Sequence, residues 1–192
     1  MRLLIPAPSL RSAALVVTVF LVSFVAGNAI APKAHDSTSI FSQVGLPKLE
    51  RMDFNRNSFS PRPKSPAESR AKFFEYVVHN GLAALMITAL GLCLFFFPAI
   101  AISILGVACG FLFWHTNSPM VYARLLLPHG VVELPATFYV AAVAQSCGWK
   151  WVWAGSGKRK REFMNQAGIA CRCFLVAIPL LVIAAILEAY VP

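Results

Sequence analysis

The chain has 192 residues, 58% of them hydrophobic and 13% charged, with a mean hydropathy of +0.67. That is too apolar for a water-soluble domain of this size and implies several membrane spans joined by polar segments. The net charge of +9 at pH 7 belongs to loops that set topology and meet anionic headgroups. No basic stretch is interleaved with aromatics in a soluble domain, which argues against nucleic acid as a partner.

The first apolar run, Leu10 to Ala31, follows Arg2 and ends in Ala29-Ile30-Ala31, the pattern of a signal-peptidase site. A cleaved signal is therefore one reading. The run is long enough to span a bilayer, and Pro32 occupies the position after the cut, so we read an uncleaved anchor over residues 1–31. Residues 32–72 form the long polar loop. Its Ser58–Pro66 stretch carries Pro61, Pro63 and Pro66 and holds neither helix nor central strand. An ordered piece is expected at most near Ile40–Asn55. From about Pro66, capped by Ser65 or Ser69, a helix is expected to run through Phe73 and Phe74 into the next span.

Residues 81–115 carry no charge before His115. One straight helix over that length would reach about 52 Å, too long for a bilayer core. Phe97-Pro98 is the credible breaker, which predicts a tight hairpin between two short spans. Gly106-x-x-x-Gly110 on the second lets another helix approach closely. The fourth span is expected over Leu125–Trp153, with Pro128 in its first turn and a kink near Pro135. Trp149, Trp151 and Trp153 suggest an aromatic belt. The basic loop Lys158–Arg161 follows, then a last span over Gln166–Tyr190. Cys171 and Cys173 project to different sides of that helix, and none of the five cysteines suggests a disulfide framework.

The fold class is therefore all-α: a polytopic helical membrane protein with about five spans. Residues 73–192 form a four-helix membrane domain behind the anchor and the loop. The density of positive charge near span ends favours the 158–161 cluster and the N-terminus inside, with the long loop outside. In the rival topology Leu125–Trp153 re-enters without crossing, and both basic regions lie inside with the N-terminus outside.

Five crossings bring the end of the long loop, the exit of the third span, the start of the fourth and the end of the fifth to one membrane face. Glu75, His79, Asn80, Arg124, His129, Glu133 and Glu188 lie at those ends. His129 and Glu133 stack on one helical face, as do Glu75 and His79. Ionisable groups at membrane depth are costly and need partners or a task. Three readings stay open: hydrogen bonds that fix helix packing, a transport or proton path, and the metal centre of an intramembrane hydrolase. H-E-x-x-H spacing, a Ser–His–Asp order and a Gly-rich phosphate loop are absent from the sequence. No catalytic, cofactor or metal residue is assigned.

Leu127-Pro128-His129-Gly130-Val131-Val132-Glu133-Leu134-Pro135-Ala136 resembles the Pro-His-Gly-x-x-Glu-x-x-Ala core of the stage II sporulation protein M family. Ala184 to Tyr190, with Glu188, is similar to the acidic end of that family's last span. Phe74 to Asn80 followed by Gly91, Gly106 and Gly110 is a third match, with His79-Asn80 where the family tends to have Asn-Asn. The resemblance covers roughly residues 70–192. It implies a scaffold of the cytoplasmic membrane whose partners are membrane or cell-envelope proteins, and in spore formers peptidoglycan-remodelling partners at engulfment. Lipid is the first expected partner, and a homo-oligomer is possible. A small transporter or metal-dependent hydrolase using His129 and Glu133 is the alternative.

Overall fold

The computed structural model describes residues 5–35, 65–115 and 119–190. The ordered piece expected near Ile40–Asn55 lies outside them. The described residues form five helices and no strands. They are α1 (Leu10–His35), α2 (Pro66–Cys93), α3 (Phe97–His115), α4 (Pro119–Val152) and α5 (Arg159–Tyr190). In lipid every backbone polar group must be satisfied within its own segment, so apolar runs of this length fold as helices. Ser65 is the N-cap of α2: its Oγ accepts a hydrogen bond from the Glu68 N–H at 3.2 Å. The hairpin between α2 and α3 turns over residues 94–96, and Pro98 sits in the first turn of α3, where its missing N–H costs nothing.

The helices run alternately up and down. α1 lies parallel to α3, with Gly106 beside Phe20 and Gly110 beside Phe24. α4 is antiparallel to α5, with Trp151 on Phe163 at 5.3 Å near one end and Glu133 facing Glu188 near the other. The starts of α1, α3 and α5 thus share one end with the 94–96 turn, whose Phe95 packs on Trp149 at 5.1 Å. Arg11 and the 158–161 cluster mark that basic end.

α4 is the hub and packs against all four other helices. Residues 140–148 are buried without a break. Its sequence there, Val-Ala-Ala-Val-Ala-Gln-Ser-Cys-Gly, is small enough for neighbours to close in on every side. At Gly148 the neighbour is backbone: an added Cβ would meet Gly91 O, and Phe95 Cα at 3.0 Å.

Several expectations need correction. Among the described residues, four of the five helices are long and apolar enough to cross a membrane by length and composition, consistent with the expected polytopic helical fold. α4 is the longest of the five, at 34 residues. It begins at Pro119 rather than near Leu125, so Pro128 is an interior residue, not part of the first turn. Both Pro128 and Pro135 withhold an N–H from the helix ladder. The ring contacts Tyr122–Phe24, Phe24–Phe20 and Phe20–Phe138 measure 6.4, 6.3 and 5.0 Å. They join α1 to both halves of α4 across the proline stretch. α5 starts at Arg159, so most of the basic cluster is its first turn. The tryptophans form a belt only in part. Trp149 and Trp153 are exposed, whereas Trp151 turns inward and donates its Nε1–H to the Leu92 carbonyl. Cys171 is exposed and Cys173 buried, as their spacing implies.

Candidate functional site

At the end opposite the basic cluster, a cavity of about 330 Å³ opens between α2, α3, α4 and α5. α4 contributes His129, Gly130 and Glu133; α5 contributes Glu188; α2 contributes Tyr76, His79 and Asn80; α3 contributes Leu105 and Cys109. Helical periodicity explains the set on α4, because residues 126, 129, 130, 133 and 134 share one face. On α2 the buried residues Ser69, Asn80, Ala84, Ile87, Thr88, Gly91 and Leu92 define the inward stripe. Tyr76 and Asn80 lie on it one turn apart.

His129, Glu133 and Glu188 are half-buried, and a ligand atom from each lies within 4.8 Å of the other two. The ionisable groups acting on Glu133 are His129, Glu188 and His79. The Tyr76 hydroxyl lies near Glu188. Asn80 is 8% exposed, and its Nδ2 has no hydrogen-bond partner. Gly130 keeps the wall thin: a Cβ there would lie 2.9 Å from Leu126 Cγ. An imidazole and two carboxylates on adjacent helices can trade protons, bond across the helix interface or ligate a cation.

Of the residues singled out in the sequence, His79, Asn80, His129, Gly130, Glu133 and Glu188 meet at this cavity. His79 is exposed and sits at its rim. Glu75 is exposed on the side of α2 away from the inward stripe. The side chains of Arg124 and Pro128 lie outside the described residues, and Pro135 lines a second, apolar cavity behind Gly130. Gly106 and Gly110 pack on α1, away from the site. Sequence reasoning missed Tyr76 and gave Cys109 no place there. The signal for Tyr76 was its spacing of four from Asn80, which pairs it with the buried amide just as Glu75 pairs with His79.

A family model described as stage II sporulation protein M matches residues 15–192. No curated protein and no solved structure matches the chain.

Proposed function

The chain belongs to the stage II sporulation protein M family, and we propose that it serves as a multi-pass scaffold of the cytoplasmic membrane that assembles other envelope proteins. The observation that carries this reading is the extent of the match. It takes in the first helix as well as the bundle, so the unit shared with the family is the whole helical assembly rather than one motif. The architecture supports the same reading. Residues 140–148 of α4 are enclosed by the other helices, while α1 turns Leu15, Val17, Leu21, Val22 and Val25 outward. An apolar outer face of that kind meets lipid or the spans of partners. The basic end, with Arg11 and Lys158–Arg161, is the cytoplasmic one in this proposal, because positive charge near span ends is retained inside. The polar cluster then lies toward the outer face, on the side of the 32–72 loop.

The test is site-specific photo-crosslinking in native membranes from lipid-facing positions on α1 and from the exposed 155–157 turn. A scaffold gives discrete adducts with the same few envelope proteins, and those adducts vanish when the crosslinker moves to buried Ala142. Adducts with lipid alone, from every exposed position, would refute it.

A further inference from the structure

We propose that His129, Glu133 and Glu188 hold one divalent ion of the zinc class, with the Asn80 amide donating a hydrogen bond to the oxygen that completes its coordination. This goes beyond the scaffold reading, and either can fail without the other.

Charge is the first argument. Glu133 and Glu188 bring two half-buried carboxylates together between α4 and α5, where burying charge is expensive. The groups acting on Glu133 are two histidines and that second carboxylate. A divalent cation balances two carboxylates in full, and a neutral imidazole completes a three-ligand set.

Donor chemistry selects the ion. One imidazole nitrogen with two carboxylate oxygens suits zinc, manganese or iron, whereas calcium and magnesium take oxygen alone. Three protein ligands and a free position are the arrangement that zinc uses where it also binds water or a carbonyl oxygen.

Geometry permits it. Bonds of about 2.0–2.2 Å at tetrahedral angles put two ligand atoms roughly 3.3–3.6 Å apart. The present separations of up to 4.8 Å close to that by small rotations of the two flexible glutamates. His129 and Glu133 lie on successive turns of α4, and Glu188 faces them from α5, so no backbone rearrangement is needed.

Asn80 is the independent observation. Its Nδ2 is a hydrogen-bond donor without a partner, in a side chain more than nine-tenths buried that lines the cavity. Buried donors in native proteins are normally satisfied, by protein, water or ligand. An oxygen bound to an ion held at this cavity is an acceptor of the kind the amide lacks. It also explains why an amide stands here on a stripe otherwise made mostly of small and apolar residues.

The test uses the full chain in detergent or nanodiscs, stripped of metal with a chelator and titrated with Zn²⁺ alone. We expect one equivalent per chain, a higher melting temperature on loading, and visible d–d absorption of a low-coordinate site when Co²⁺ is substituted. Glu188→Gln and Glu133→Gln keep shape and should lose the bound equivalent and the thermal gain together. Asn80→Leu should weaken binding by about ten- to a hundredfold, the usual effect of removing a group that orients a metal's ligands. Glu162→Gln, in the first turn of α5 at the opposite end of the bundle, should leave it unchanged. Failure of the parent protein to take up a stoichiometric ion overturns the proposal. So does binding that survives both glutamate substitutions with helical content intact. Parental affinity in Asn80→Leu overturns the part assigned to the amide.

Discussion

Gly110→Ala should detach α1 from α3. A Cβ on Gly110 would lie 2.8 Å from Asn28 N and 2.9 Å from Phe24 C, and closer still to the Phe24 carbonyl oxygen. All three are backbone atoms of α1 and cannot rotate away. Carbon contacts relax at about 3.5–4.0 Å, so the helices must separate by roughly 1 Å along this seam. Gly106 and Gly27 make the same kind of approach, to Phe20 O at 2.7 Å and Val107 Cα at 2.8 Å, so separation at one point strains the others. Overpacking of this sort costs about 1–3 kcal/mol. The better helix propensity of Ala returns at most about 1 kcal/mol. At about 2–4 °C per kcal/mol for a chain of this length, the melting temperature should fall by several degrees. Gly168→Ala is the control, because nothing lies within 4 Å of a Cβ there, and it should melt at or above the parent. Thermal unfolding followed by circular dichroism in one detergent reads both. If Gly110→Ala behaves like Gly168→Ala, α1 does not rest on α3 by backbone contact.

Other outcomes follow from the same geometry. Glu133→Gln in chelator-treated protein should melt no lower than the parent, since it removes one of two adjacent carboxylates; a clear drop would show that the charge itself holds α4 to α5. Ser65→Ala should destabilise the first turn of α2 by about 1 kcal/mol, read as faster amide exchange at Glu68, and unchanged exchange would mean the cap is idle. Trp151→Phe removes the bond to the Leu92 carbonyl and should cost about 1 kcal/mol, seen as a lower melting temperature; an unaltered one would show that ring packing alone carries the contact. In a chain freed of native cysteines, Ser42→Cys and Ser156→Cys should be labelled from opposite sides of the membrane, and labelling from one side would exclude an odd number of crossings between them.

The polar cluster shows how far a linear reading reaches. His129 and Glu133 could be paired from spacing alone, because both belong to one helix and helical periodicity is local. Glu188 could be brought near them by counting crossings, since alternate spans return to the same face. Tyr76 was not selected, because its spacing of four from Asn80 becomes informative only once Asn80 is known to face inward. Asn80 was picked out only as a polar residue near a span end, and its unsatisfied amide is a property of the surroundings rather than of the residue.

The helices, the hairpin at Pro98 and the cap at Ser65 were determined by the sequence itself. Lipid forces each apolar run to satisfy its own backbone, and prolines and serines act on the residues next to them. The tertiary structure decided the rest: that α1 rests parallel on α3, that α4 is the enclosed hub, and that the helix carrying His129 starts at Pro119. In water an amphipathic stripe would have announced the buried faces. In a bilayer the lipid-facing side of a helix is as apolar as the side facing protein, so hydropathy cannot distinguish them. Only close approach between backbones, at Gly27, Gly106, Gly110 and Gly148, settles which helices meet.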